Sequence, residues 1–321
     1  MKAFQFLVCA LFSLSVSSAA QAQNYPDRGV KLIVPQAPGG ASDALARIMA
    51  QKLSERWGQP VVVENKAGAG GNIGLDYVAK APKDGYTLLM SYEGTQAINV
   101  SLYKKLSFDP VKDFTPVAIV ATVPFICIVN NGVKAKTFQE FVKLAQATPG
   151  MTFGSAGSGT VNHLLGEMVN LVAKTKLTHV PYKGASPAMT DLLGGRIDAV
   201  FTSVPSVAPQ IESGSVRALA VTSKVRSPRF PDLPTIAESG YPDFDVNPWF
   251  GIFAPSGVPA DVIMKINNDV AAILKESATV KSLAAQGATP MQVTPQQFSE
   301  ILNADIKKWA VVVRESGATA D

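Results

Sequence analysis

A run of small residues between residues 151 and 165 is the part of this sequence best suited to hold a charged ligand. The segment reads MTFGSAGSGTVNHLL: an apolar start typical of a buried strand, a loop of glycine, serine and alanine, then a helix with apolar residues at three- to four-residue spacing. Amide groups at a helix N-terminus have no partner within the helix and lie at the positive end of its dipole. The pattern therefore predicts an anion-binding loop. Its candidate ligand contacts are Ser155, Gly157, Ser158, Gly159, Thr160 and His163.

The same loop contains hydroxyl groups close in sequence to a histidine, which leaves a second interpretation open. A secreted serine hydrolase could use Ser158, or Ser155, with His163 as its base. No GxSxG motif supports that mechanism, and the other histidine, His179, is expected within a strand in a structural role. The two histidines show no HxxH or HExxH spacing. We therefore assign no catalytic residue and no metal ligand.

A second glycine-rich loop follows the first predicted strand. Residues 30–34 (VKLIV) are mostly β-branched or apolar, and the sequence PQAPGGASD then leads into a helix that continues to about residue 56. Ser42 or Asp43 is predicted to cap this helix. The loop is either an ordinary strand–helix connection or a second part of the ligand site. Its candidate contacts are Gln36, Gly39, Gly40, Ala41, Ser42 and Asp43.

Two charged residues are further candidates, one after a predicted strand and one near the start of another. Lys183 follows a strand in a Tyr-Lys-Gly turn and could offer its charge to an acidic ligand, or it could be a solvated loop lysine. Asp198 could orient loop amides, or it could pair with Arg196. Both are kept as candidate ligand-binding residues.

The segment 66–74 (KAGAGGNIG) imitates a dinucleotide-binding fingerprint. Its glycines lie between a predicted strand and a predicted helix, and Glu93 follows about 20 residues further on. The spacing, however, is GxGxxxG rather than GxGxxG. A tight turn with close helix packing fits the segment better, so no cofactor is predicted.

Strands and helices alternate along most of the chain, which indicates an α/β fold with parallel strands. Two such units are expected, at about 24–121 and 125–247, and a helical C-terminal segment is expected to cover the first unit. The chain would then cross twice between the units, near 121–124 and 250–252, and such a protein closes by hinge motion. The predicted domains are lobe 1, residues 23–121 plus 252–321, and lobe 2, residues 122–251.

The N-terminus has the order of a secretory signal peptide. Lys2 supplies a positive charge, residues 6–16 are apolar, and Ala20-Gln21-Ala22 forms a small-residue cleavage site. Cleavage after Ala22 would place the mature protein in the periplasm. Cys127 would then be the one remaining thiol, so no intramolecular disulfide is expected.

Charge and hydropathy exclude two classes of partner. The formal net charge of +4 is scattered without basic runs, so no nucleic-acid partner is expected. Residues 114–129 are mostly apolar, but Pro116 and Pro124 interrupt them and the run is shorter than a membrane span. Two successive buried strands explain this stretch better.

Taken together, these motifs resemble the solute receptors of tripartite tricarboxylate transporter systems, often called Bug receptors. The resemblance runs from about residue 26 to the C-terminus. It is carried by residues 35–47 (PQAPGGASDALAR), 62–71 (VVENKAGAGG), 83–89 (KDGYTLL), 108–116 (FDPVKDFTP), 153–164 (FGSAGSGTVNHL), 179–198 (HVPYKGASPAMTDLLGGRID), 219–223 (LAVTS), 233–240 (LPTIAESG) and 249–259.

The resemblance implies a two-lobed periplasmic-binding-protein fold, type II-like, with a cleft between the lobes. It implies capture of a small mono- or dicarboxylic acid there and delivery to the membrane subunits of a tripartite tricarboxylate-type transporter. The loop 155–160 would grip a carboxylate, and the loop 36–43 would contact the ligand through backbone groups and ordered water. A monomer is expected, and a periplasmic sensor for a signalling system is an alternative to transport.

Three positions after the third predicted strand complete this picture. Ser91 and Thr95 would line the pocket, and Glu93 would repel a second carboxylate if it pointed inward and stayed ionised. The family often carries an aromatic residue where this chain has Gln36, next to the ligand. A polar amide there removes a stacking surface, so the identity of the ligand does not transfer from the family.

Overall fold

A computed structural model describes residues 25–320, and the predicted signal peptide lies outside this range. The strands are β1 (Val30–Val34), β2 (Val61–Asn65), β3 (Thr87–Tyr92), β4 (Phe114–Thr122), β5 (Phe125–Val129), β6 (Thr152–Ser155), β7 (Thr178–Pro181), β8 (Ala199–Ser203), β9 (Arg217–Val221), β10 (Trp249–Pro255) and β11 (Thr289–Pro290). The helices are α1 (Ala41–Trp57), α2 (Asn72–Ala79), α3 (Asn99–Leu102), α4 (Phe138–Ala147), α5 (Val161–Ala173), α6 (Ala185–Leu193), α7 (Val204–Glu212), α8 (Ala260–Ile273), α9 (Ser277–Ala285) and α10 (Pro295–Ser316). A π-helical turn, Gly94–Ile98, leads into α3.

The strands form two separate sheets built on one plan. The first sheet has the order β2-β1-β3-β10-β4-β11, and the second has the order β7-β6-β8-β5-β9. β1 is parallel to β2 and β3, and β6 is parallel to β7 and β8, which confirms the predicted α/β pairing. Each sheet also contains an inserted antiparallel strand, β10 or β5, which the alternation of elements does not reveal.

This topology places the candidate loops at the carboxyl ends of parallel strands. The loop after β1 lies beside the end of β3, and the loop after β6 lies beside the ends of β7 and β8. In open α/β sheets, ligands bind at this edge because the helix N-termini that follow the strands face it. Each sheet therefore offers one edge suited to a ligand.

The chain passes between the sheets at two adjacent places. It leaves the first sheet after β4 and enters β5 within three residues, and the return lies beside this exit, with the amide of Val123 donating to the carbonyl of Pro248 at 2.9 Å. β10 pairs with the first sheet from its first residue, Trp249. The second crossing therefore precedes residue 249, a few residues earlier than the predicted 250–252. The reason is that the first residue of β10 already pairs with β4 in the first sheet.

The C-terminal helices cover the first sheet, as predicted. α8 packs on β4 and α1. α10 packs on β4 and on the π-helical turn, and it also contacts α5 of the second unit. A contiguous group of buried apolar side chains includes Leu102 and Trp309 from the first unit and Phe153 and Leu164 from the second. The two units are thus in apolar contact.

The apolar stretch 114–129 forms the buried strands β4 and β5, which confirms its interpretation as two strands. Within residues 25–320, no helix has the length and apolar character needed to cross a membrane.

Candidate ligand-binding site

The loop between β6 and α5 is held by hydrogen bonds among its own residues. The Ser155 hydroxyl donates to the carbonyl of Gly157 at 3.0 Å and accepts from the Gly157 amide at 3.1 Å. The Thr160 hydroxyl also donates to the Gly157 carbonyl, at 2.7 Å. Because these hydroxyls are used inside the loop, they shape it rather than face a ligand. Ser158 is only half-buried, and its hydroxyl has no hydrogen bond within the part of the chain that the structure describes.

The N-terminus of α5 is open to an acceptor. Thr160 occupies the N-cap position but makes no side-chain capping bond, so the first-turn amides have no side-chain partner among residues 25–320. The Gly159 amide, by contrast, donates to Nδ1 of His163 at 2.9 Å. Gly159 is therefore not an anion donor in this conformation, which corrects one predicted contact. The available donors are the Ser158 hydroxyl and the amides at the start of the helix.

Both histidines lie beneath this loop. The His163 and His179 rings stack with their centroids 3.7 Å apart, and Nε2 of His179 lies 2.6 Å from the Ser155 hydroxyl oxygen. Burial, followed by the neighbouring charge of His163, lowers the pKa of His179 to about 4. The strand predicted for His179 is confirmed, but its contact with the loop is not apparent from the local sequence. The signal was the pairing of β6 with β7, which sets His179 opposite Phe153, two residues before Ser155.

The loop between β1 and α1 is braced by a buried carboxylate. Asp43 accepts hydrogen bonds at 3.0 Å from the Gly39 amide, from Nε of Arg47 and from Nδ2 of Asn65. Burial raises the pKa of Asp43, but its hydrogen bonds outweigh that effect and hold the pKa below its ordinary value. Both carboxylate oxygens are used, so Asp43 shapes the loop and is not a contact for an acidic ligand. The Gly39 amide is used as well.

The start of α1 also differs from the prediction. The helix begins at Ala41 with Gly40 as its N-cap, not at Ser42 or Asp43, and no side-chain capping bond is formed within the described residues. Asp43 cannot cap because its carboxylate reaches back to the loop. The first amides of α1 are therefore open, like those of α5.

Gln36 lies between this loop and the end of β3. Its Nε2 donates to the Thr95 hydroxyl at 2.9 Å, which leaves Oε1 without a partner in the described part of the chain. Ser91, fully buried near the end of β3, also has an unpartnered hydroxyl there. Buried polar groups are nearly always hydrogen-bonded, so each of these two atoms is suited to a bond with a ligand or with water.

Glu93, by contrast, has its partners in the C-terminal helix α10. Trp309 in α10 donates its indole N–H to the Glu93 carboxylate, and Nζ of Lys308 lies 3.3 Å from it. Burial raises the pKa of Glu93, while Lys308 opposes the rise. The site is thus free of the repulsion that an inward-facing carboxylate would cause. Glu93 is also in no position to bind a ribose, as a dinucleotide-binding acid would.

The glycine-rich segment 66–74 acts as packing, as predicted. A Cβ at Gly74 would lie 2.7 Å from Cβ of Pro35, so α2 approaches the end of β1 closely. A Cβ at Gly71 would come within 2.6 Å of the Thr95 side chain. These glycines let α2 and the π-helical turn pack against the Gln36 loop.

The remaining two candidates lie at opposite edges of the second sheet. Lys183 is exposed in the turn after β7, beside the anion loop, since the Tyr182 amide donates to the Ser155 carbonyl at 3.1 Å. Asp198 precedes β8 at the other end of the strands, where it accepts from the Thr152 amide at 2.8 Å. The predicted role of Asp198 in the site is therefore wrong, because its carboxylate pins the start of β6.

The two halves of the site are in close contact at Gly159. Leu102, at the end of α3, packs directly on Gly159, with no room for a Cβ on that glycine. The backbone of Gly159 also has a positive φ of 74°. The segment that carries Thr95 in the first unit therefore covers the anion loop of the second unit.

The contacts of the two histidines also bear on the hydrolase interpretation and on metal binding. Nδ1 of His163 is occupied by the Gly159 amide, so the predicted Ser158–His163 pair does not form. Ser155 contacts the other histidine, and it is fully buried. Among the described residues, no group of three or more histidine, cysteine or acidic side chains could hold a metal ion.

Two α/β units with the same order of their first five strands, two adjacent crossovers and open helix N-termini after β1 and β6 define the class of two-lobed solute-binding proteins. The family model for the tripartite tricarboxylate transporter family receptor, TctC, matches residues 45–318. The chain belongs to this family.

Relatives and solved structures agree with this assignment. Protein BugT of Bordetella pertussis is 41% identical over 305 residues, which cover 94% of each chain. The R. palustris protein Rpa4515, solved with adipate, superposes with a TM-score of 0.87 at 36% identity, covering 92% of this chain and 99% of that one. MatC (Rpa3494) from Rhodopseudomonas palustris, with bound malate, gives a TM-score of 0.81 at 33% identity, covering 90% and 100%.

Proposed function

We propose that this chain is a periplasmic solute-binding protein that captures a small mono- or dicarboxylic acid and delivers it to the membrane subunits of a tripartite tricarboxylate-type transporter. Each sheet with its helices forms one lobe, and the lobes close on the ligand by motion about residues 122–124 and 247–248. The observation that carries this proposal is the uncapped N-terminus of α5 behind the Ser158 loop. The chain acts as a monomer and needs no cofactor.

The solved relatives support the class of ligand. Rpa4515 was solved with adipate and MatC with malate, and both acids carry two carboxylates. In this chain, each unit has a helix whose first amides are uncapped, α1 and α5. A carboxylate suits such a position because it accepts several amide hydrogen bonds and lies at the positive end of the helix dipole.

The free energy of binding shows why contacts from both units are needed. Hydrogen bonds to a charged group contribute about 1.5–3 kcal/mol each, and a helix terminus adds about 0.3–1 kcal/mol. Three such bonds give a gross gain of roughly 5–10 kcal/mol, from which the cost of immobilising the ligand must be subtracted. Micromolar affinity needs about 8 kcal/mol net. One loop is therefore marginal, and contacts from the second unit must supply the rest.

Adipate or malate is expected to raise the melting temperature by several degrees at saturating concentration. A ligand at 100 times its Kd stabilises the folded protein by about 2.7 kcal/mol. Adipamide, which has the same chain length but no charge, is expected to give no shift, since it cannot use the helix dipole or charge-assisted bonds. A thermal-shift titration measures both. Equal shifts for the acid and the amide would contradict anion recognition, and native mass spectrometry of the purified protein would reveal a different co-purified acid.

Replacing Gln36 by phenylalanine is expected to change which acids bind best while the melting temperature of the free protein changes little. Gln36 is half-buried, and its Oε1 is the unpartnered acceptor beside Thr95. Phenylalanine removes that acceptor and offers an apolar surface, which favours longer, less hydroxylated acids. Competition among adipate, malate and shorter acids gives the ranking, and Gln51→Phe on the exposed face of α1 is the control. An unchanged ranking would place Gln36 outside the pocket.

We infer binding without turnover from the same geometry. Ser155 is fully buried and shares its hydroxyl with Gly157, so it is not presented to a substrate. Incubation with ester and amide derivatives of the bound acid should return them unchanged. Hydrolysis that is lost in Ser155→Ala would favour an enzyme instead. Delivery to a transporter rather than to a signalling protein is tested by which membrane proteins co-purify with the ligand-bound form.

A further inference from the structure

Two imidazoles beneath the anion loop stack on each other and pack against a phenylalanine ring. His163 comes from α5 and His179 from β7, and their rings stack at 3.7 Å with an interplanar angle of 17°. The Phe153 ring of β6 lies against both, with its centroid 5.1 Å from His179 and 6.2 Å from His163. Three neighbouring elements thus fix where the two imidazoles lie. Neither ring is needed by the proposed contacts to the ligand.

Each ring holds one part of the loop above it. Nε2 of His179 lies 2.6 Å from the Ser155 hydroxyl, which in turn makes two hydrogen bonds with Gly157. Nδ1 of His163 accepts the Gly159 amide at 2.9 Å. The ring pair therefore reaches Ser155 and Gly159 directly and Gly157 through Ser155. Ser158, half-buried at the turn of the loop, lies outside this network.

The hydrogen bonds determine the proton positions. Since Gly159 donates to Nδ1 of His163, that nitrogen carries no proton, and the proton lies on Nε2, which faces the Glu167 carboxylate at 3.5 Å. The Ser155 hydroxyl donates to the Gly157 carbonyl, so it accepts from Nε2–H of His179. Burial and the adjacent His163 hold the pKa of His179 near 4, so this ring is neutral at pH 7. His179 therefore acts on the loop in its neutral form.

We propose that His163 and His179 are positioning residues for the carboxylate site: together they set the loop conformation that turns the Ser158 hydroxyl and the first amides of α5 towards the ligand. By accepting the Gly159 amide, His163 keeps this glycine at its positive φ. In that conformation the glycine packs against Leu102 of the other unit. The loop is thereby ordered before a ligand arrives, and less conformational entropy is lost on binding. The proposal rests on the proposed carboxylate-binding function.

The test compares substitutions that keep or remove the acceptor at position 163. His163→Asn retains an oxygen near the place of Nδ1, whereas His163→Leu has a similar volume and no acceptor. With adipate or malate as the probe, we expect His163→Leu to raise Kd by roughly 10- to 100-fold and His163→Asn by less than about fivefold. The pair His179→Gln and His179→Leu tests the contact with Ser155 in the same way. The proposal would be overturned if the asparagine and glutamine variants lost as much affinity as the leucine variants, or if the leucine variants kept the affinity of the wild type.

Hydrogen exchange of the Gly159 amide, measured by NMR without ligand, separates this proposal from the proposed function. The amide should be protected in the wild-type protein and in His163→Asn, and should exchange much faster in His163→Leu. A protected amide in His163→Leu would overturn the positioning role whatever the affinities are. If the exchange pattern is as expected but the wild-type protein binds no carboxylate, the proposed function fails and the role of the rings in ordering the loop stands.

Discussion

Gly159→Ala is expected to weaken binding of a carboxylate ligand by roughly 100-fold or more, which corresponds to about 2.7 kcal/mol. Gly159 has a φ of 74°, and a side chain costs about 1–2 kcal/mol in that left-handed region. A Cβ there would also collide with Leu102 of the other unit, and overpacking of this kind costs about 1–3 kcal/mol. Because Leu102 belongs to the first unit and Gly159 to the second, the collision opposes their approach, so part of its cost is expected to fall on closure and hence on affinity.

A second glycine separates backbone strain from the collision. Gly150 also has a positive φ, of 87°, but a Cβ there would meet nothing within 4 Å. Gly150→Ala carries the backbone strain alone, so it should lower the melting temperature no more than Gly159→Ala does and should leave the affinity near that of the wild type. Calorimetric titration and thermal denaturation of both variants make the comparison. Equal affinity loss in the two variants would show that the contact with Leu102 has no part in binding.

Leu102→Ala provides the reciprocal change. In the Gly159→Ala background it makes room for the new methyl group, so the double variant should bind more tightly than Gly159→Ala alone. The coupling between the two substitutions, taken from a double-mutant cycle, measures the contact between the units. Independent effects would mean that the units do not close over this glycine.

The segment from Gly94 to Leu102 explains why the site is shared between two units. Thr95 near its start holds Gln36 by a hydrogen bond, and Leu102 at its end covers Gly159. A π-helical turn at residues 94–98 supplies part of the segment, and such turns are frequent at functional sites. Movement of this segment would change the Gln36 pocket and the cover over the anion loop together.

Sequence patterns predict the elements of this site better than the direction of its side chains. The Ser155–Thr160 loop and the helix after it follow from composition and from apolar spacing, which are local properties. Asp43 follows a glycine-rich loop whether it contacts a ligand or braces that loop. Only its distances to Arg47 and Asn65 decide between these roles.

The features that local sequence patterns do not predict depend on how distant parts of the chain pair. His179 reaches Ser155 because β7 pairs with β6 in one particular register, 24 residues away along the chain. Asp198 precedes a strand, and the sequence does not reveal that its end of the strand is the one remote from the loop. The antiparallel strands β5 and β10 depend on where the chain crosses between sheets, a choice made by packing of whole units rather than by any local motif.

Lys308→Met is expected to destabilise the protein by about 2–3 kcal/mol at pH 7, because it leaves the buried Glu93 carboxylate without its cation. Glu93 is almost fully buried, accepts the Trp309 indole N–H and lies 3.3 Å from Nζ of Lys308. Removing one partner of a fully buried pair costs ~3–5 kcal/mol, and the partial exposure of Lys308, 40%, lowers the expected cost. Glu93→Gln in the same background removes the stranded charge and should restore most of the stability. Lys307→Met, at an exposed neighbour on α10, is the control.

The pH dependence of this loss identifies its cause. Burial already raises the pKa of Glu93, and without Lys308 the pKa rises further. A carboxyl whose pKa is raised on folding stabilises the folded state least at high pH, since the folded form binds its proton more tightly than the unfolded form does. The difference in unfolding free energy between wild type and Lys308→Met should therefore be largest at neutral pH and shrink as the pH falls towards 4. Denaturant unfolding at several pH values measures it, and a loss that does not change with pH would mean that Lys308 acts by packing alone. Glu93 lies directly before the π-helical turn, so loss of the ion pair is also expected to loosen the segment that carries Thr95 and to weaken carboxylate binding.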